Sequence, residues 1–337
     1  MEFERLLERF RSLGGTAENF RLGTGQYGRG GFVIEPLRPS AIVAPDRLTF
    51  PIEDLEIREG ELRLKAAAPY GDAERAFFDD YQRYFGWSAG VRDEIYEQQR
   101  EWSELPQRAI AFMRQMGALD EANIPFAPPD DDVCFYHFVR ARDFRYKDRR
   151  RLVPLLDIPN HRGVAAPFDL DGGVAIRGTF EDEIFVRYNL GDAWDNAVVY
   201  RFADLAIFAY SVAMIVDLEG GLRLNVKRFY NQIDPIGNVR YPTVTTDGNA
   251  RTISHLVLGN LSAPDMPRAV FRKLLADRLD VRSADRAFDG IAHFNRKMFL
   301  DALRLLDGLS GSAAAMLRAA ALNQLEALSA CVGAADL

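Results

Sequence analysis

The chain has 337 residues, 48% hydrophobic and 27% charged, enough for one large domain or two smaller ones with cores of their own. Its net charge of −7 and pI near 5.3 argue against a protein that binds nucleic acid by neutralising phosphates. Two cysteines, Cys134 and Cys331, exclude a disulfide framework or a cysteine-rich zinc site, and four histidines without an H-x-x-x-H pair speak against a catalytic metal.

From the N-terminus, Glu2 to Leu13 predicts an amphipathic helix, with Phe3, Leu6, Leu7 and Phe10 on one face and Gly14-Gly15 as its stop. Charge in this segment and the lack of a continuous apolar stretch speak against a secretory signal. A glycine-rich, β-like stretch follows, in which Gly23, Gly25, Gly28, Gly30 and Gly31 precede Phe32-Val33-Ile34, and short apolar runs continue from Leu37 to Phe50. Helices are expected at Asp72–Phe85, Gly90–Glu104 and Gln107–Met116, the first with Phe77, Phe78, Tyr81 and Phe85 on one face, the third with Pro106 at its head. Prolines 125, 128 and 129 with a run of aspartates mark a loop, and Val133 to Tyr146 reads as a further helix.

Short strands and turns are expected from Leu152 to Tyr200, with strand character at Val153–Ile158, Gly173–Ile176 and Ile184–Tyr188. The longest apolar run, Leu205 to Val216, is too short to span a membrane and reads as buried strand or helix. Tyr210 to Phe229 predicts two strands around Glu219-Gly220-Gly221. Helices return at Pro267–Leu279, Ala284–Leu309 and Ser312–Cys331. The fold class is therefore α+β, neither a βαβ alternation nor a sandwich. A soluble cytoplasmic protein is expected, and the excess of arginine over lysine suits a GC-rich bacterial genome.

Three clusters carry candidate chemistry. Gly28-Arg29-Gly30-Gly31 does not fit the dinucleotide-binding G-x-G-x-x-G, but glycines beside a strand let a backbone approach a ligand closely. Val153 to His161 ends in an Asn160-His161 pair after Asp157, and Asp182 to Asn189 places Tyr188 at a strand end, followed by Asn196 and Tyr200-Arg201-Phe202. Taken singly, each has an ordinary reading: a turn, a turn, and a half-buried sheet tyrosine.

In order and spacing, however, G-x-G, a helical insertion, D-x-x-N-H, E-I-x-x-x-Y and Y-x-F together resemble the SET-domain family. The likeness is to its Rubisco large-subunit methyltransferase, SETD-like subgroup, in which the SET domain is split by a helical insert, and it runs from about Phe20 to Asp204. The resemblance implies a SET β-fold with a pseudoknot, a helical insertion and a helical C-terminal region. The expected parts are an N-terminal helix (1–19), the first SET portion (20–70), the insert (71–130), the second SET portion (131–263) and the helical region (264–337).

It further implies S-adenosylmethionine (AdoMet) as cofactor and N-methylation of a protein lysine or a similar nitrogen, with no metal, nucleic acid or membrane. Tyr188 matches the catalytic tyrosine. Tyr27, Gly28, Arg29, Gly30 and Gly31 match the first cofactor segment, Arg142 of Arg140-Ala141-Arg142 the partner of the cofactor carboxylate, Asn160 and His161 the adenine and amino-end pair, and Tyr200 the aromatic beside the tyrosine. Asp157, Arg162 and Tyr200 are the candidate substrate contacts. The sequence departs from the family at Arg162, Asn189 and Arg201, where small residues or glycine are usual; asparagine at 189 is the non-glycine best able to take positive φ. Two alternatives stay open: a small-molecule amine as substrate, for which Arg162 could pair a carboxylate, and a non-catalytic SET-like binding protein.

Overall fold

The computed structural model describes residues 2–116, 126–203, 205–228 and 241–331. They form an α+β architecture of several small sheets with a helical C-terminal region, divided into two compact units. The first comprises 2–99 and 128–189, the second 100–116, 126–127 and the described residues from Leu190 onward. The Asp204 and Phe229 ends of two sequence expectations, and Pro125, lie outside the described residues.

In the first unit, α1 (Glu2–Ser12) buries Leu6, Leu7 and Phe10 and stops at Gly14, whose φ of +80° suits the left-handed turn a helix end requires. The strand β1 (Thr16–Glu18) pairs with β4 (Pro39–Ala44), which pairs with β11 (Val174–Thr179), all antiparallel. A second sheet runs in the order β10 (Asn160–His161), β12 (Glu183–Val186), β3 (Gly28–Phe32), β2 (Arg21–Gly25). Smaller pairings are β9 (Arg149–Leu152) with both β5 (Phe50–Pro51) and β8 (Asp143–Tyr146), and β6 (Leu55–Arg58) with β7 (Glu61–Leu64). The helix α2 (Asp72–Tyr84) turns Phe77, Phe78 and Tyr81 into this unit's core, as its apolar spacing predicts. The division between units falls within α3 (Arg92–Ser103).

Two expectations are corrected here. The helix α5 (Asp131–Arg142) ends at Arg142 rather than at Tyr146. Residues 143–146 are the first strand of a hairpin whose turn, Lys147-Asp148, takes φ of +50° and +59°, the two positive values that match a two-residue turn to the twist of its strands. Nor is Val153–Ile158 a strand. It is a buried series of turns with Leu155 at φ +73°, because Pro154 and Pro159 remove ladder donors; only Asn160-His161 pairs.

The second unit contains α4 (Gln107–Gln115), a short helix α6 (Ala193–Asp195), β13 (Phe208–Tyr210) paired with β18 (Val257–Asn260), and a sheet ordered β14 (Met214–Asp217), β15 (Arg223–Val226), β17 (Ala250–Ile253), β16 (Val244–Asp247). Its helices α7 (Met266–Leu275), α8 (Val281–Leu306) and α9 (Ser312–Cys331) bury Phe271, Phe288, Phe299 and Leu317 in one core. No helix among the described residues is long and apolar enough to cross a membrane. A groove of about 600 Å³ between β14 and α8 is lined mainly by apolar side chains, with Gln115 and Arg286 among them.

This core encloses an ionic cluster. The Arg228 guanidinium lies 2.8 Å from Asp192 and 2.9 Å from Asp195, all three side chains almost wholly excluded from solvent. Asp192 also caps α6 by accepting from the Asp195 amide at 2.8 Å and accepts from the Tyr210 amide at 3.1 Å. Two carboxylates share one cation, so burial, and then the neighbouring Asp192 charge, raise the Asp195 pKa against the pull of Arg228. A raised folded-state pKa means that the folded protein binds the proton more readily, so this group's stabilisation is present at acidic pH and lost as pH rises through that value. Arg228→Met is expected to destabilise the protein by about 3–5 kcal/mol at pH 8, because it strands two buried carboxylates. The loss should shrink at pH 5, where Asp195 takes up a proton, and urea denaturation at the two pH values measures both.

Candidate functional site

The sheet β10-β12-β3-β2 of the first unit gathers the three clusters singled out in the sequence. The hairpin β2–β3 turns at Gln26-Tyr27, and Gly28 leaves it with φ +87°. Tyr27 is partly exposed, its ring edge-on to Phe185 at 6.2 Å. Gly30 sits under two polar side chains that a methyl group would have to displace: a Cβ there would come 2.8 Å from both Asn160 Nδ2 and Glu183 Oε1. Those two atoms are themselves hydrogen-bonded at 2.8 Å, and Asn160 Nδ2 also reaches the Arg29 carbonyl at 3.4 Å. The glycine thus lets the polar side chains of β10 and β12 close over the backbone of β3.

Parallel pairing sets Asn160 opposite Phe185 and His161 opposite Val186. It brings the chain after β12 back to β10, where the Tyr188 amide donates to His161 Nδ1 at 3.0 Å. The imidazole accepts at Nδ1 and so carries its proton at Nε2 in the neutral form. Burial, with Arg187 adding to it, pushes the His161 pKa down to about 4. The Tyr188 hydroxyl donates to the Pro159 carbonyl. Its ring stacks on Phe168 at 6.0 Å, and Phe144 meets Phe168 edge-on at 4.3 Å. Burial, and then the Asp157 charge, raise the Tyr188 pKa far above the ordinary phenol value, so it remains a neutral phenol.

Arg142, the last residue of α5, stacks over Phe138 at 4.7 Å with a quarter of its side chain exposed. Its Nε lies 3.9 Å from Asp157 Oδ2. Asp157 is buried and its other oxygen accepts from the Tyr81 hydroxyl. Burial raises the Asp157 pKa to about 6, opposed by Arg142 and by the Tyr81 hydrogen bond. Arg162 is exposed, its guanidinium 3.6 Å over the Phe185 ring, on the side chain that Tyr27 also touches.

The candidate Tyr200 belongs to the second unit, half-buried at the end of the turn Asn196–Tyr200, with its ring 6.2 Å from Phe202. Two residues of the site had no distinguishing signal in the sequence: Tyr81 read as one aromatic on an apolar helical face, and Phe168 fell among the short strands and turns expected from Leu152 to Tyr200. Glu183 is the acidic residue of E-I-x-x-x-Y, but nothing in that pattern signals its bond to Asn160. Among the described residues no group of three or more His, Cys, Asp or Glu side chains could hold a metal ion.

No protein-family model and no curated protein matches the chain. Among solved structures it is similar to the SET domain of LSMT bound to lysine and AdoHcy, with 13% identity and a TM-score of 0.42, over 97% of this chain and 89% of that one. It is also similar to Rubisco LSMT bound to sinefungin and monomethyllysine, with 12% identity and a TM-score of 0.41, over 97% and 89%. Similarity of that degree leaves the chemistry to be argued from the residues.

Two predictions test the local geometry. Gly30→Ala is expected to part the Asn160–Glu183 pair and to lower stability by about 1–3 kcal/mol, the usual cost of an inserted methyl group without room, read from urea midpoints. His161 should stay neutral well below its ordinary 6.5. Because its folded pKa is depressed, the stability it contributes is present above about 6.5 and lost as pH falls towards 4. Its ring resonances in a two-dimensional ¹H–¹⁵N spectrum should therefore not move between pH 8 and 5.5.

Proposed function

We propose that this chain is an AdoMet-dependent N-methyltransferase of SET type, acting on a protein lysine or a similar nitrogen. The observation that supports this best is the convergence, on one sheet, of the glycine segment and the N-H pair, with the tyrosine that follows E-I-x-x-x just beyond the end of β12 and hydrogen-bonded to His161. The family resemblance requires these distant segments to be neighbours, and neither composition nor local pattern forces them to be.

The residues suit the cofactor. A Cβ at Gly28 would meet nothing within 4 Å, leaving backbone open to a ligand, and the Arg142 fork is partly exposed, as pairing with a carboxylate requires. Asn160 and His161 would hold the adenine and amino ends through backbone and side chain. When bound, AdoMet supplies an electrophilic methyl group on a sulfonium.

The chain's own part is positioning. With its proton given to the Pro159 carbonyl, the Tyr188 oxygen keeps lone pairs available to accept from an amine or to face a cationic centre. The amine must be neutral to attack, although a free lysine has a pKa of about 10.4. An apolar wall of Phe168 and Phe144 beside the tyrosine, with the Arg142 charge nearby, favours the neutral amine by desolvation and like-charge repulsion. A methyl group passing from the sulfonium to the nitrogen would leave a neutral thioether, and the extra proton on the product amine would go to solvent.

A small-molecule substrate is the second reading, favoured by the exposed Arg162 guanidinium stacked on Phe185 and open to a substrate carboxylate. Labelled AdoMet offered with a lysate, and separately with small amines and amino acids, distinguishes the two.

Tyr188→Phe is expected to lower single-turnover methyl transfer by ~10²-fold or more while AdoMet affinity falls much less. The lost hydrogen bond to Pro159 should reduce stability by about 0.5–1.5 kcal/mol. Near-wild-type turnover of a folded variant removes Tyr188 from the mechanism.

A further inference from the structure

We propose that Tyr81, on the helix α2 inserted between the two strand-rich stretches, is a positioning residue of this site: its hydroxyl fixes the Asp157 carboxylate against Arg142, and the guanidinium is thereby presented to a ligand's carboxylate. The inference rests on the reading of Arg142 as the carboxylate-pairing arginine of the proposed AdoMet site.

The geometry is a relay of three side chains from three elements. Tyr81 is 2% exposed and donates to Asp157 Oδ1; Asp157 Oδ2 faces Arg142 Nε at 3.9 Å; Arg142 in turn rests on Phe138. The charged or titratable groups facing Asp157 are Tyr81 from α2, Arg142 from α5 and Tyr188 beyond β12. At 3.9 Å the arginine contact is an ion pair without a short hydrogen bond, so among the described residues the phenol is the one close side-chain donor to Asp157, beside the backbone N–H groups of Leu155 and Asp157. A carboxylate this buried that loses a donor takes up a proton rather than staying charged, and Arg142 then loses the group that turns it.

The same arrangement limits how firmly Arg142 is held. The nearest approach of Asp157 is to Nε, at a distance beyond a hydrogen bond, and a quarter of the Arg142 side chain is exposed, so an arriving carboxylate can take a forked pair of its donors. Tyr81 thus acts on a ligand through two intermediaries without touching it.

Tyr81→Phe keeps the ring and its packing and removes one oxygen. Two measurements without turnover decide the matter: the Asp157 titration, followed by ¹³C carboxyl NMR in ligand-free protein, and the affinity for S-adenosylhomocysteine by calorimetry from pH 6 to 8.5. In the variant, the Asp157 midpoint should rise by about one to two pH units, the equivalent of a hydrogen bond to a charged group. Affinity should fall by about 3- to 10-fold at pH 7 and recover towards pH 8.5 as Asp157 ionises again. In an Asp157→Asn background, removing the hydroxyl should change affinity no further. An unmoved midpoint, or a loss of affinity equal at every pH, overturns the positioning role and leaves the AdoMet reading standing. Wild-type protein that binds no S-adenosylhomocysteine at any pH overturns that reading, and this assignment with it.

Discussion

Two residues of parallel pairing hold the candidate site together. Asn160 and His161 align with Phe185 and Val186, and through β12 they are tied to the glycine strand β3. Parallel neighbours cannot be joined by a tight turn, so the intervening chain must leave and return. It does so through the loop after His161 and through β11, which pairs in a different sheet with β4. So short a ladder is weak by itself. It is reinforced by side chains: Asn160 to Glu183 on one side, and His161 Nδ1 accepting from the Tyr188 amide on the other. The polar pair therefore ties the sheet together within the candidate site, while burial, with the Arg187 charge adding to it, keeps the His161 imidazole neutral.

Buried charge is handled differently in the two units. In the second, Asp192 and Asp195 close on Arg228 with short contacts, and their other oxygens or neighbouring amides complete a cap. That arrangement is satisfied and inward-looking, as a structural cluster should be. In the first, Asp157 has a phenol and a distant guanidinium, and Arg142 reaches the surface. Outside these clusters, the arginine-rich run from Arg140 to Arg151 is largely matched locally. Lys147 meets Asp46, Arg149 meets Glu53 and Arg150 meets Asp143. Such exposed pairs add little stability each, but they remove the basic field that the bare sequence would suggest.

Helices were the most legible part of the chain, because an apolar face repeats over several turns: α1, α2 and α9 run close to where spacing and glycine stops put them. Strand reading failed where an apolar run was buried without being paired. Val153–Ile158 has the composition of a buried strand, and only its two prolines told against a ladder. The hairpin at Lys147-Asp148 was hidden for another reason: its turn lacks the glycine that usually marks two consecutive positive φ values, although Asp tolerates that conformation. Within the site, order and spacing along the chain singled out Tyr188, Asn160, His161 and Arg142. The hydroxyl of Tyr81 was invisible because its helical spacing is that of its phenylalanine neighbours, and only the third dimension reveals Asp157 beside it.

The departures from the family pattern each find a local explanation. Arg201 takes φ +62°, the left-handed conformation for which glycine is the natural residue; its guanidinium lies 3.5 Å over Trp102, and that stacking offsets the backbone strain. Asn189 needs no such compensation, since its φ is not positive, so the conformational tolerance of asparagine is not what that position uses. Arg162 extends along Phe185 at the surface instead of crowding the pair before it, and His161 keeps its contact with Tyr188. Arg201 is thus accommodated by an aromatic neighbour and Arg162 by lying outside the sheet, while the hydrogen bonds joining β3, β10, β12 and Tyr188 remain intact. Substitutions absorbed this way alter what the rim of a site can recognise before they alter the arrangement at its centre. What distinguishes these positions physically is chiefly the Arg162 guanidinium, held over the Phe185 ring at the edge of the sheet.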